Sequence, residues 1–295
     1  MKFPTHMAFF AWKPATWLKV GGADAASFLQ GQFTNDLRGL APGASVYGLW
    51  LNVKGKIVGD SFIGQGAAPE EFWIASYFSA ATAIRERLEA FVIADDVVIE
   101  DVTPAWSAIT LWGEGAEAAL AWERREGVCF RGRRGAGESI EWIFPNEARA
   151  TVDAALAGLA ELSADEVMRR RLAAGIPAIP ADLGPGDLPN EGGLDVEAIS
   201  YTKGCYLGQE VMARLKSMGQ VRRRLVRVAL DEAKIPALPA PLFLGARQVG
   251  ELRSAAPPDA AGAIGLAMVS LLHVQPGARL ALAADLPPTV SVIGP

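Results

Sequence analysis

Residues 203–210 read Lys203-Gly204-Cys205-Tyr206-Leu207-Gly208-Gln209-Glu210, a coil that carries a thiol beside a cation and leads toward a helix. The stretch that follows, Gln209-Glu210-Val211-Met212-Ala213-Arg214-Leu215, has strong helix formers and no Gly or Pro before Gly219. It predicts a first turn near Gly208 whose free N–H groups are directed back toward the thiol. A helix N-terminus and an ammonium both favour the thiolate, the form that attacks electrophiles and binds metals. Cys205 is therefore the candidate reactive group and Lys203 its electrostatic partner. The competing reading is a buried cysteine that packs as a small hydrophobe.

Upstream, Ser163-Ala164-Asp165-Glu166 is a capping box that predicts a helix to about Ala174, ended by Gly175 and Pro177. The Pro- and Gly-rich connection over 177–193 then leads to the Cys205 segment, and loops of that length are usually functional or mobile. In the first half, Asp24 predicts a capped helix to Gln30 that stops at Gly31, and strands over 46–53 and 57–63 flank Lys54-Gly55. A strand over 71–75, a helix capped by Ser79 with Ile84, Leu88 and Phe91 on one face, and a strand over 97–100 follow. The fold class expected is α+β, with antiparallel sheets and packed helices. After Gly219, short β-like segments at 222–230, 241–244, 248–254, 264–269, 279–283 and 290–293 predict a small C-terminal β-barrel or sandwich. The expected division is 1–219, with a second subdomain over about 46–145, and 220–295.

Composition narrows the function classes. With 51% apolar and 21% charged residues in 295, the chain reads as globular. No apolar run is long enough to span a bilayer, and no export signal is read at the N-terminus, so the expected address is the cytoplasm. A net charge of −5 gives no global field toward nucleic acid. The clusters Arg131/Arg133/Arg134 and Arg222/Arg223/Arg224 read as solvated faces, and direct nucleic-acid binding is not expected. A self-contained iron–sulfur cluster usually takes four protein ligands, mostly thiolates, and two cysteines and two histidines with no Cys-x-x-Cys do not supply them in any obvious arrangement. No metal site is assigned, and any cluster handled by the chain needs a partner, a second subunit or a small-molecule ligand to complete its ligands. Cys129 lies in an apolar strand-like run and reads as core.

The octapeptide resembles the signature of the YgfZ family, folate-binding proteins linked to iron–sulfur cluster assembly and tRNA modification. That family is related to the aminomethyltransferase (T-protein) of the glycine cleavage system. Also similar to the family are Leu188-Pro189-Asn190-Glu191-Gly192-Gly193-Leu194-Asp195, Ile199-Ser200-Tyr201-Thr202, Gly22-Ala23-Asp24, Phe28-Leu29-Gln30-Gly31-Gln32-Phe33-Thr34-Asn35-Asp36 and Lys54-Gly55-Lys56-Ile57. In the family's order they cover the chain from about residue 18 to its end. The resemblance implies a T-protein-like folate-binding architecture before the barrel and tetrahydrofolate or a derivative as cofactor. It implies iron–sulfur assembly proteins or cluster-containing enzymes as partners, with tRNA modification affected indirectly. It also marks Gly204, Tyr206, Gly208, Gln209 and Glu210 as motif residues around Cys205 and Lys203.

A folate requires a carboxylate for its amino-pyrimidine edge, apolar walls for its rings and cations for its glutamate tail. Asp182, Asp187 or Glu191 offers the first, Trp12, Trp17 or Tyr206 the second, and Arg171 or Lys203 the third. With Asn35 of the N-terminal block, the implied contact set is Arg171, Asp182, Glu191, Trp17 and Asn35. The T-protein helix reads like Arg-x-Glu-Ala-Gly where this chain has Arg171-Leu172-Ala173-Ala174-Gly175, so an Ala replaces that carboxylate; some YgfZ relatives carry a Trp where Val167 stands. Two functions from different classes follow: a folate-binding cluster-assembly factor using Cys205, or a tetrahydrofolate-dependent one-carbon transferase, the reading that Asp60 keeps open. A stand-alone thiol redox enzyme ranks last, because no resolving cysteine is apparent.

Overall fold

A computed structural model describes residues 3, 6–41, 43–120, 126–231, 234–260 and 262–294, with Met218 described in its backbone alone. Two compact units divide the chain. One consists of Met1–Arg133, Gly137–Ser163 and Val196–Ala213, the other of Arg134–Ala136, Ala164–Asp195 and Arg214–Pro295.

In chain order the first unit runs β1 (Ala8–Trp12), β2 (Thr16–Gly21), α1 (Ala25–Gln32), β3 (Ser45–Leu51), β4 (Ile57–Gln65), β5 (Phe72–Ser76), α2 (Ala81–Glu89), β6 (Val98–Asp101), β7 (Trp106–Trp112), β8 (Val128–Arg131), β9 (Ser139–Pro145), α3 (Arg149–Leu156) and β10 (Ala160–Glu161). These strands form two five-stranded sheets, ordered β10-β1-β7-β9-β8 and β3-β4-β5-β2-β6. Every pair is antiparallel except β1 with β10, where Ala8 stands opposite Ala160. Helices α1 and α2 cover one face of the second sheet through Phe28, Leu29, Ile84 and Leu88. Helix α3 covers the first sheet through Val152, Ala155 and Leu156. The opposite faces of the sheets meet in a largely aromatic layer of Trp17, Phe62, Trp73, Phe130 and Ile143. Strands buried on both faces lose the polar alternation of a half-exposed sheet. Cys129 is in the core, as its apolar surroundings predict.

Two expected helix boundaries differ. Helix α1 continues through Gly31 to Gln32, and the Asp24 carboxylate accepts a bond from the Asp96 N–H instead of capping α1. Ser79 does not cap α2 either; its hydroxyl donates to Asp60 Oδ1 at 2.6 Å.

The second unit holds α4 (Ala164–Ala173), most of the turns of 175–195, the C-terminal half of α5 (Gln209–Met218), and strands β11 (Arg223–Leu230), β12 (Ala240–Leu244), β13 (Arg247–Asp259), β14 (Gly262–Ser270), β15 (Arg279–Leu280) and β16 (Val290–Gly294). The strand order is β12-β13-β14-β11-β16-β15, and a bridge between Phe243 and Ala281 brings the two edge strands together, giving a nearly closed six-stranded barrel. Its interior is filled by Val226, Val228, Leu242, Leu252, Val269, Leu280 and Val290. Small barrels leave no lumen because inward side chains fill it.

Candidate functional site

The two stretches that open and close the first unit's sequence form one structure. Helix α1 ends with carbonyls that have no intrahelical partner, and residues far along the chain satisfy them. The Lys203 ammonium donates to Gln30 O (2.7 Å), Phe33 O (2.6 Å) and Asn35 O (2.9 Å). Leu207 N–H donates to Gly31 O. Thr34 links the same region, its hydroxyl donating to Ala198 O and accepting from Leu49 N, while Ser200 N–H reaches Thr34 O. The Asn35 side chain donates to Tyr47 O and Glu197 O. A cation at a helix C-terminus also meets the negative end of the helix dipole.

Pinned at Lys203 and Leu207, the intervening loop alternates between inward anchors and an outward tip. Lys203 is 5% and Tyr206 6% exposed, and the Lys203 ammonium lies 5.3 Å from the Tyr206 ring centre. Gly204 and Cys205 face out, and the Cys205 thiol is exposed. This removes the reading of Cys205 as a buried hydrophobe. The reading of Lys203 is corrected as well: its three donors are all taken by carbonyls, leaving none for a thiolate or for the tail of a folate. Burial pulls its pKa down to about 8, so it remains mostly protonated at neutral pH.

Helix α5 begins at Gln209, one residue past the expected turn, with Glu210 in its first turn. Gly208 has φ +87°, and a Cβ there would sit 2.8 Å from Asn52 O and 3.3 Å from the Gly55 Cα. Gly55, at φ +68° in the β3–β4 turn, in turn meets Val211 of α5. The block Lys54-Gly55-Lys56 is therefore the floor on which residues 208–212 rest. Its turn is tied by Asn52 Oδ1, which accepts from Lys54 N and Lys56 N. Gly208→Ala is expected to cost about 2 kcal/mol through positive φ and the collision with Asn52 O, measurable as a lowered denaturant midpoint.

Arg87 completes the anchorage and was not flagged by the sequence reading. Its Nε donates to Leu51 O and its Nη1 to Gln32 Oε1 at 2.6 Å, and burial pulls its pKa down to about 10. The signal was available: Arg87 falls on the same helix face as Ile84, Leu88 and Phe91, where an arginine needs buried acceptors.

The expected folate set fares differently. Arg171 and Asp182 form a buried ion pair, with Asp182 fully buried and also accepting from Ala178 N. Glu191 accepts from Leu188 N and from Arg223, and Asp187 from Gly184 N, Arg223 and Arg253. These groups hold the 177–193 connection and the barrel together, so as a pterin-binding set they do not fit. Burial pushes the Asp187 carboxyl up, but Arg253, Gly184 N–H and Arg223 outweigh it and hold the pKa below the usual carboxylate range. A depressed carboxylate stabilises above the unfolded value of about 4 and loses that contribution as pH falls through its folded value. Asp187→Asn is accordingly expected to flatten the loss of stability seen in denaturant melts below about pH 4.

Trp17 is 2% exposed, stacked on Trp73 and tilted against Trp106, with ring centres 5.3 Å from each. A better-suited polar surface lies at Asn35. Arg133 lies over the Tyr47 ring, 4.6 Å from its centre, and pairs with the half-exposed Glu197. Beneath them Asp60 is buried and accepts from Tyr47, Ser76 and Ser79, with burial raising its pKa. A guanidinium, an aromatic face and an accessible carboxylate thus converge, a set that the sequence reading did not assemble. Among the described residues, no three His, Cys, Asp or Glu side chains are placed to hold a metal ion, and no helix is long and apolar enough to cross a membrane.

Residues 5–124 match the GCVT N-terminal domain, and residues 222–293 match the CAF17 C-terminal beta-barrel domain. The chain is 30% identical over 308 residues to the human iron-sulfur cluster assembly factor IBA57, mitochondrial, an alignment covering 94% of this chain and 84% of that protein. It is 31% identical to the mouse protein of the same name, covering 75% of this chain and 65% of that protein. The Mycosarcoma maydis homologue is 26% identical, over 74% of this chain and 56% of that protein. Among solved structures, the glycine cleavage system aminomethyltransferase T from Bartonella henselae superposes with a TM-score of 0.77 at 20% identity, covering 97% of this chain and 85% of that one, a likeness of fold. The expected cytoplasmic address is overturned by these relatives, which are named as mitochondrial proteins.

Proposed function

The chain belongs to the family of iron–sulfur cluster assembly factors that includes human IBA57, and from that premise we propose that it is a YgfZ-type, folate-binding accessory factor that contacts clusters in transit through Cys205. The observation that carries this reading is the exposed thiol held on a loop fixed at both ends. Such a thiol offers one ligand. On contact, the Cys205 S–H gives its proton to solvent, a sulfur–iron bond forms and one existing ligand leaves that iron, with no electron transferred. The remaining ligands come from the protein that delivers or receives the cluster, an iron–sulfur scaffold or a client enzyme. Effects on tRNA modification then follow through client enzymes that need clusters.

Tetrahydrofolate is assigned to the surface formed by Asn35, Tyr47, Arg133 and Glu197. There the Glu197 carboxylate meets the amino-pyrimidine edge, and the Arg133 guanidinium, held over the Tyr47 ring, meets anionic groups. The transferase alternative finds less support, because Asp60 is buried and its oxygens are taken by three hydroxyls.

Three measurements test the proposal. In cells lacking the chain, its expression is expected to restore the activity of cluster-dependent enzymes; no recovery contradicts the assembly role. In calorimetric titration with tetrahydrofolate, Glu197→Gln is expected to weaken binding about tenfold, and unchanged affinity removes the folate from this surface. Turnover of methylene-tetrahydrofolate independent of Cys205 would favour the transferase.

A further inference from the structure

At the outer end of the layer between the two sheets lies a cleft of about 430 Å³, walled by Trp17, Trp73 and Trp106 with Lys19, Glu71 and Glu100 among its lining residues. The register of β2 produces it. Lys19 stands opposite Trp73 on β5 and Glu100 on β6, while Gly21 stands opposite Val98. Alternate residues of β2, namely Trp17, Lys19 and Gly21, therefore share one face of the strand, and Leu18 and Val20 go to the core under α1 and α2. An added Cβ at Gly21 would meet nothing within 4 Å, so the strand ends on open space. Trp73 lies so close over Gly64 that a Cβ there would stand 2.0 Å from its ring, so its place in the wall is fixed.

Opposite charges facing each other across an antiparallel pair ordinarily have Cβ atoms about 5 Å apart, close enough to pair. Here Lys19 and Glu100 form no ion pair among the described residues, although the register places them directly opposite. One cation, Lys19, and two carboxylates, Glu71 and Glu100, thus stand beside an aromatic wall. We propose that this cleft is a second ligand site, for a small zwitterion with a planar aromatic body. Its carboxylate meets Lys19, its ammonium meets Glu100, and its ring lies against Trp106, the one of the three indoles that is not buried. An aromatic amino acid is the simplest member of that class. A volume of this size is in the range of small-molecule sites, and the site is separate from both Cys205 and the surface at Tyr47 and Arg133.

Equilibrium dialysis of L-tryptophan against the full chain tests this. Saturable binding of one molecule per chain is expected, lost in Gly21→Leu, which fills the open space from a backbone with ordinary φ. Lys19→Met and Glu100→Gln are each expected to weaken binding about tenfold, and tryptamine and indole-3-propionate, which lack one charge each, to bind wild type about tenfold more weakly than tryptophan. Should Gly21→Leu fail to fold, the two exposed rim variants carry the test. The proposal is overturned by absence of saturable binding, by equal affinity for tryptophan and tryptamine, by affinity unchanged in the rim variants, or by displacement of tryptophan with tetrahydrofolate, which would make the cleft the folate site.

Discussion

Cys205→Ser is expected to reduce the recovery of cluster-dependent enzymes, in cells lacking the chain, to the level of an empty vector. Melting temperature should change by no more than about 2 °C, because an exposed side chain with no packing role contributes little to stability. The oxygen of serine is a far weaker ligand for iron than a thiolate, so one atom is exchanged and the loop is left in place. Cys129 cannot substitute, since it is buried between the first sheet and α3. Steady-state protein measured in the same cells separates a chemical defect from a shortage of protein.

Lys203→Met is expected to destabilise the first unit by roughly 3 kcal/mol. Met approximates the length of the stem, but Gln30 O, Phe33 O and Asn35 O lose their shared donor at a buried position. For a unit of this size the fall in Tm is on the order of 10 °C. Lys203→Arg is expected to recover only part of it, because a planar guanidinium cannot direct three N–H groups to three carbonyls gathered around one point. Cluster-enzyme recovery should fall in parallel, since the tip bearing Cys205 is no longer held at Lys203. Thermal melts of the three proteins, read against one another, check the order wild type, Arg, Met.

Much of this arrangement is legible from sequence where turn residues set an element off or one face of it is polar. The six β-like segments after Gly219 are legible because Pro, Gly and Asp separate them at close spacing, and each corresponds to a strand. The helix with Ile84 and Leu88 is legible because its other face is polar, although it ends at Glu89, short of Phe91. Strand β2 is not, because Trp17, Leu18 and Val20 are buried on both of its faces and the alternation vanishes. Local chemistry misleads at Ser79, a good cap by type, since a buried carboxylate 19 residues away in sequence competes for its hydroxyl.

At the site, residue types were readable and partners were not. The spacing of Lys203 and Cys205 suggests an ion pair, yet the ammonium finds three carbonyls about 170 residues earlier in the chain. Likewise Asp187 and Glu191 look like free acids until Arg223 and Arg253 arrive from the barrel. Long-range partners decide whether a charged side chain is a working group or a fastening. No local pattern encodes them.

Protection of Cys205 from alkylation gives the most direct test of whether this thiol touches a cluster. Iodoacetamide is added under anaerobic conditions to the chain alone and to the chain mixed with a purified scaffold protein carrying a [2Fe–2S] cluster, and the modified peptides are quantified by mass spectrometry. The expected result is rapid modification of Cys205 in the chain alone, slow modification of Cys129 in both samples, and strong protection of Cys205 by the cluster-loaded scaffold but not by its cluster-free form. Equal alkylation of Cys205 in all three mixtures would contradict the account.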